Sequence, residues 1–278
     1  MKGTLFIVAT PIGNLEDITL RALRVLKEVD IIAAEDTRRS LKLLSYYGIA
    51  KPMISYWSAK EKVRTEEVMR RLSSGQSVAL ISDAGTPGIS DPGFVLISKA
   101  IEENVRIVPV PGPSACIAAL SVSGLPANEF TFIGFLPSGK SRRRKMLREL
   151  AAEVRTLIFY EAPHRLLETL RDINSLFGER KAAVVKEITK IHEDVFRDGI
   201  SVIISRLEST PAMGEYVIIT EGMKSGGKIA PDDVLTEVSS LMKKGFGRKE
   251  AVRRVAEAYG LSKKELYDKS LDFFGTYQ

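Results

Sequence analysis

Residues 78–93 read Val78-Ala79-Leu80-Ile81-Ser82-Asp83-Ala84-Gly85-Thr86-Pro87-Gly88-Ile89-Ser90-Asp91-Pro92-Gly93. The first four are apolar without alternation, the pattern of a short strand buried on both faces. Three glycines, two prolines and two aspartates then crowd the strand's exit. Glycine lets a ligand approach the backbone closely, proline holds a loop in shape, and a carboxylate accepts hydrogen bonds or faces a cation. Ligands of open α/β sheets bind outside the carboxyl ends of the strands. The stretch therefore reads as a strand leading into the floor of a small-molecule site.

On either side of this stretch, strand-like runs alternate with helical patterns. Thr4–Ala9 precedes a helix around Ile18–Val29, and Ile31–Ala34 one around Arg38–Tyr47. Val78–Ile81 precedes Pro92–Glu102, and Val105–Val110 precedes Ser114–Val122. Such alternation predicts a largely parallel sheet covered on both faces, hence an α/β fold. Ser123-Gly124-Leu125-Pro126 breaks the pattern and sets a boundary after a first domain of residues 1–123. A second α/β domain, 124–223, carries strands at Phe130–Phe135, Thr156–Tyr160, Ala182–Lys186 and Tyr216–Thr220, with helices at Ser141–Val154 and His164–Phe177. Residues 224–229 read as a flexible linker. Residues 230–278 read as a small three-helix domain, whose last helix opens with a Ser262/Glu265 capping box.

With 278 residues the chain can bury a sizeable core. A net charge of +6 favours a polyanionic partner, nucleic acid above membrane. The single cysteine, Cys116, excludes an internal disulfide framework and suits a reducing cytoplasm; it reads as a small buried hydrophobe. No run approaches transmembrane length. Tyr56 and Trp57 read as core.

Four strands of the first domain end in polar or turn-forming loops. These are Thr10-Pro11-Ile12-Gly13-Asn14, Glu35-Asp36-Thr37-Arg38, the loop after Ile81, and Pro111-Gly112-Pro113-Ser114-Ala115. Placed together at one end of a parallel sheet, they form a ligand site. The G-x-G-x-x-G, P-loop and G-x-S-x-G patterns are absent, which argues against a dinucleotide, an NTP or an esterase-type serine. His164 and His192 have no ligand-spaced cysteines, so no metal is expected.

These four loops, together with Gly134-Phe135-Leu136-Pro137, Glu161-Ala162-Pro163-His164-Arg165 and Glu187-Ile188-Thr189-Lys190 with Glu193, resemble the tetrapyrrole-methylase superfamily, and within it the branch acting on small-subunit ribosomal RNA. The resemblance runs from Thr4 to about Gly222. The first loop departs from the glycine-rich one of tetrapyrrole-modifying relatives. The resemblance implies two α/β domains of the tetrapyrrole-methylase type with the cofactor cleft between them, S-adenosylmethionine as cofactor, and methylation of a cytidine ribose 2′-hydroxyl in the decoding region of 16S rRNA. It implies a cytoplasmic homodimer acting on 16S rRNA or the 30S subunit. By motif position, Pro11, Asp83, Gly85, Ile89, Ser114 and Ala115 should line the cofactor on one side, and Tyr160, Met213 and Gly214 on the other. A turn or capping role for Asp83 is the plainer alternative. Asp36, Glu161, Lys190 and Glu193 are candidates to take the hydroxyl proton, either as a lysine of depressed pKa or as a carboxylate raised by burial. Each is equally compatible with a structural ion pair.

From Lys140 to Arg148, six of nine residues are basic and none acidic, with Met146, Leu147 and Leu150 supplying an apolar helical face. Lys140, Arg142, Arg143, Arg144 and Arg148 are therefore expected to track phosphates, with Arg38, His164 and Arg165 joining them. Lys228–Gln278 holds ten basic and eight acidic residues, so that segment is mixed in charge. Two rival readings are a methylase of a tetrapyrrole or other small molecule, and a non-catalytic RNA-binding or ribosome-assembly protein that keeps the fold.

Overall fold

The computed structural model describes residues 2–209, 213–223, 231–259 and 261–274. The expected linker at 224–229 lies outside them. The chain opens with β1 (Thr4–Val8), α1 (Leu20–Glu28), β2 (Ile31–Ala34), α2 (Thr37–Tyr46), β3 (Met53–Ser55), α3 (Glu61–Ser73), β4 (Val78–Ile81), α4 (Phe94–Glu102), β5 (Arg106–Val110) and α5 (Ala115–Ser123). The five strands form a parallel sheet in the order β3-β2-β4-β1-β5. Successive side chains of β4 serve opposite faces. Val78 and Leu80 pack with Val68, Leu72 and Leu96 of α3 and α4, while Ala79 and Ile81 pack with Val25, Leu26 and Leu44 of α1 and α2. All four β4 residues are at most 1% exposed, which explains their unbroken apolar run.

A second sheet follows, from β6 (Phe130–Phe135), α6 (Lys140–Leu150), β7 (Thr156–Glu161), α7 (Leu166–Phe177), β8 (Lys181–Lys186), β9 (Asp194–Gly199), α8 (Ile200–Glu208) and β10 (Tyr216–Thr220). Its order is β6-β7-β10-β8-β9, with β6 and β7 parallel and the remaining pairings antiparallel. Helix α5 links the two halves. Cys116, Ala119 and Leu120 pack against Ile158, Ala183, Val185, Val217 and Ile219 of the second sheet. Accordingly both sheets fall in one compact unit, Met1–Arg148 with Arg155–Glu221, and Glu149–Val154 with Gly222–Gln278 form another. The expected boundary at residue 123 coincides with the end of α5, where Gly124 takes φ 74°.

The second unit contains α9 (Pro231–Lys243), α10 (Arg248–Tyr259) and α11 (Lys263–Phe274) around Val238, Val252, Val255 and Leu266. The Ser262 hydroxyl accepts from the Glu265 N–H at 3.4 Å, as the capping box requires.

Four elements have no counterpart in the sequence reading: β3, α3, β9 and α8. Three-residue β3 is too short to show alternation, and β9 (Asp-Val-Phe-Arg-Asp-Gly) is a polar edge strand. Tyr56 is fully buried, but Trp57, just past edge strand β3, is 43% exposed and so is not a core residue.

Candidate cofactor cleft and basic surface

In the order β3-β2-β4-β1-β5, neighbours β1 and β4 send their following crossovers in opposite directions. That is the switch point at which open α/β sheets form a crevice. Here the two exit loops pair. Thr10 N–H donates to Gly85 O at 2.9 Å, and Gly85 N–H donates to Thr10 O at 3.0 Å. Gly85 takes φ 78°, with a β-carbon position 3.5 Å from Ile12. Gly93, at φ 146°, leaves only 3.2 Å between an added Cβ and the Gly88 nitrogen, so this corner of the loop requires glycine.

Asp83 ties the β4 exit to the β2 exit. Its Oδ1 accepts from the Asp36 N–H at 3.1 Å, its Oδ2 lies 3.2 Å from the Arg39 guanidinium, and its own N–H donates to Glu35 at 3.3 Å. The side chain stays 24% exposed, so it both braces the loops and faces the crevice. Asp36 caps α2, accepting from the Arg38 N–H at 2.9 Å, and pairs with the mostly exposed Arg38 side chain at 3.0 Å. The Arg38 hydrogen bonds hold the Asp36 carboxyl down at about 2.

Asp91, which the sequence reading did not single out, joins Glu35 and Asp83 here. Nothing in a non-periodic loop signals that a carboxylate eight residues on returns to the same place. Burial pushes the Asp91 carboxyl up to about 6, repulsion from Glu35 and Asp83 adds to this, and a hydrogen bond from Ser82 opposes it. Burial likewise raises Glu35. Because the folded Asp91 value lies above the unfolded one of about 3.9, stability falls as pH rises through that interval, and the cost is complete above about 6. Asp91→Asn is expected to stabilise the protein near pH 7.5 by about 1 kcal/mol, after screening at a half-buried site, and to change little near pH 4. Urea unfolding at both pH values tests this. A variant less stable near neutrality contradicts it.

Elements of the second sheet approach the same loops. A Cβ added at Gly13 would lie 2.4 Å from Lys190 Cγ, and one at Gly134, in the β6 bulge, would lie 2.9 Å from Ser90 Oγ. Lys190 sits on a turn whose Glu187 and Thr189 take φ 49° and 66°. Its ammonium contacts Glu187 at 2.8 Å and Glu215 at 3.0 Å. Glu193 closes that turn by accepting from the Thr189 N–H. An added Cβ at Gly214 would meet the Glu187 carboxyl at 2.5 Å, and the neighbouring Met213 is exposed. Tyr160 accepts from the Cys116 N–H at 3.1 Å, capping α5 where the Ser114 side chain makes no capping bond. Its ring meets Phe132 and Phe135 edge-on, and burial lifts its phenol to about 12. Pro11 is buried, Ser114 and Ala115 are half-buried, and Ile89 is exposed.

Three of the four proton-acceptor candidates have surroundings that oppose the role. The Arg38 hydrogen bonds hold Asp36 well below the usual carboxylate range, which makes it too weak a base to draw a hydroxyl proton. Burial pulls Lys190 down, but Glu187 and Glu215 outweigh it and hold its ammonium above the usual range, the reverse of the depressed pKa a lysine base needs. Glu161 is 2% exposed and accepts from Ala162 N–H at 2.8 Å, Thr169 Oγ1 at 2.6 Å and the Arg165 guanidinium. Glu193 alone is exposed and free of a bound cation among the described residues.

The basic run divides in two. Arg143 is fully buried, with Nε 2.8 Å from Asp172 and a terminal nitrogen 2.7 Å from Glu168. Arg144 takes the other Asp172 oxygen. These two fasten α6 to α7, so Arg143 does not present a cation to the surface as expected. Its place beside Leu147 on the helix's inner face explains this. Lys140, Arg142, Lys145 and Arg148 are exposed. His164 is exposed on a 3₁₀ turn, and Arg165 is committed to Glu161. Among the described residues no His, Cys, Asp and Glu side chains group to hold a metal, and no helix is long and apolar enough to cross a membrane.

Comparison with known proteins agrees with this architecture. Residues 4–203 match the family of tetrapyrrole (corrin/porphyrin) methylases. A protein of Halalkalibacterium halodurans named ribosomal RNA small subunit methyltransferase I is 43% identical over 274 residues, covering 96% of this chain and 94% of the relative. A Thermotoga maritima protein of the same name is 48% identical over 220 residues, covering 79% of this chain and 99% of the relative. Among solved structures, uroporphyrin-III C-methyl transferase of Thermus thermophilus complexed with S-adenosylhomocysteine superposes with a TM-score of 0.56 at 19% identity, covering 78% of this chain and 97% of that one. This last likeness is one of fold. With switch-point cleft, family match and close relatives in agreement, the chain belongs to the tetrapyrrole methylase family and, within it, to the group named ribosomal RNA small subunit methyltransferase I.

Proposed function

We propose that the protein transfers the methyl group of S-adenosylmethionine to the ribose 2′-hydroxyl of a cytidine in the decoding region of 16S rRNA. The observation that carries the cofactor reading is the group of carboxylates Glu35, Asp83 and Asp91 at the β1/β4 switch point, an environment that favours a cationic ligand such as a sulfonium. The loops of Pro11, Asp83, Gly85, Ile89, Ser114 and Ala115 form one wall for it, and Tyr160, Met213 and Gly214 the other. The cofactor supplies an electrophilic methyl. The chain's task is to align the ribose oxygen opposite the sulfur and exclude competing nucleophiles. Bound there, the cofactor would give its methyl to the ribose oxygen and leave as a neutral thioether, and the hydroxyl proton would pass to a base of the chain. Glu193, the exposed candidate, is the side chain best suited to receive it.

The relatives' name favours ribosomal RNA over a small-molecule acceptor, and exposed Lys140, Arg142, Lys145 and Arg148 suit a phosphate backbone. The setting is cytoplasmic, on the 30S subunit. Val63 on α3 and Phe94 and Ile101 on adjacent α4 are each more than 60% exposed, which supports a homodimer; light scattering that returns a monomer would exclude it. Calorimetry should show S-adenosylmethionine binding, and labelled methyl should pass to 30S subunits but not to porphyrinogens. No binding excludes the enzyme in favour of a scaffold, and transfer to porphyrinogen favours the small-molecule reading.

A further inference from the structure

Residues 222–278 lie beyond the family match, which ends at residue 203. The Thermotoga maritima relative, matched over 99% of its length, leaves about a fifth of this chain without a counterpart. The α9–α11 unit is therefore an addition to the methylase core rather than part of it, and its surface has its own chemistry. Between α10 and α11 lies a groove of about 380 Å³. Its wall is almost wholly apolar, formed by Val252, Tyr267 and the hydrocarbon stems of Lys249, Arg253, Lys263 and Lys264, and Asp268 is the one acid among the lining residues. Two of the cations are already engaged: Arg253 holds Glu250 at 2.8 Å, and Lys263 holds Glu257 at 2.8 Å. Lys249 and Lys264 are exposed and make no ion pair among the described residues.

We propose that this groove holds the phosphodiester backbone of the RNA substrate, as a grip separate from the methyl-transfer cleft. The inference rests on the RNA reading of the substrate given above. Two unpaired lysines flanking an apolar floor with an aromatic ring match a strand that presents phosphates on one side and sugar or base faces on the other. With Arg253 and Lys263 neutralised by Glu250 and Glu257, the unpaired Lys249 and Lys264 against Asp268 leave a small positive surplus, which disfavours a basic partner. RNA also needs no further component beyond the substrate proposed above.

The test uses the full-length protein carrying Lys249→Glu and Lys264→Glu, with Lys249→Gln and Lys264→Gln as the neutral counterpart. Both pairs alter exposed side chains, and circular dichroism confirms folding. Binding to a 16S rRNA fragment is followed by anisotropy across a salt series, with S-adenosylmethionine affinity measured in parallel. The neutral pair is expected to weaken RNA binding about tenfold near 0.1 M salt and to flatten the log–log salt slope by about 1.4–1.8, the value for two lost phosphate contacts. The Glu pair should weaken binding further. Cofactor affinity, and turnover at saturating RNA, should match the parent. If the parent binds RNA and both variants bind equally with an unchanged slope, the groove is not an RNA grip and the substrate reading stands. A changed oligomeric state with RNA binding intact makes the groove a protein contact and overturns the proposal. If the parent itself fails to bind RNA, both readings fall together.

Discussion

Arg143→Ala is expected to lower the free energy of unfolding by about 3–5 kcal/mol, because removing one partner of a buried ion pair strands the other charge. Asp172, with a side chain only 6% exposed, would keep a single partner, Arg144, at the less buried end of the site. Set against a typical stability of about 5–15 kcal/mol, that loss is enough to unfold a marginal protein. Arg142→Ala, one residue away but exposed, should change stability by less than about 0.5 kcal/mol. Burial raises the Asp172 carboxyl, but the hydrogen bonds from Arg144 and Arg143 outweigh it and hold it below the usual range. A depressed carboxyl stabilises above the unfolded value of about 3.9 and loses that contribution as pH falls through the folded one. The gap between Arg143→Ala and the parent should therefore narrow in acid. Guanidinium unfolding near pH 7.5 and near pH 3 measures it. A variant as stable as the parent near neutrality contradicts the buried-pair account. It follows that a block substitution of residues 142–144 reports on folding before it reports on RNA.

Asp83→Ala is expected to weaken S-adenosylmethionine binding by about 10–100-fold, the equivalent of about 1.5–3 kcal/mol for a hydrogen-bonded charged group. The substitution leaves the Asp36 N–H without its acceptor, frees Arg39 and removes one carboxylate from the crevice. Asp83→Asn separates these effects, since an amide oxygen still accepts from Asp36 while the charge is gone. If bracing dominates, the Asn variant binds almost as well as the parent; if charge dominates, it resembles the Ala variant. Equal affinity in all three proteins removes Asp83 from the cofactor site.

Much of this was legible in the chain. Val78–Ile81 showed a doubly buried strand through its unbroken apolar run, and the helices after β1, β2, β4 and β5 followed from the alternation of strand-like and helical patterns, whereas α3 before it did not show. The loops after β1, β2, β4 and β5 were readable as one site because a parallel sheet places its strand exits at the same end. Local pattern carried no sign of β3 or β9, a short strand and a polar edge strand whose pairing is set by neighbours. Nor could it show that α5, which follows the last strand of the first sheet, packs against the second. The site was hidden where sequence distance and spatial distance part. Asp91 and Glu35 meet Asp83 only after folding, and Glu215, from just before β10, joins the nearby Glu187 on Lys190. Arg143 shows the same limit from the other side. In the sequence it is one cation in a run, and only the position of Asp172 on α7 turns it inward.

Transfer to a ribose oxygen of one cytidine leaves a mark that mapping the methylated position reads out. 30S subunits from cells lacking this protein would be incubated with the purified enzyme and isotope-labelled S-adenosylmethionine, and the 16S rRNA then cleaved by alkali and sequenced. A 2′-O-methyl blocks attack on the adjacent phosphodiester, so a single new alkali-resistant step is expected after a cytidine in the decoding region, carrying the label. Label on a base, at a nucleotide other than cytidine, or absent from rRNA would contradict it.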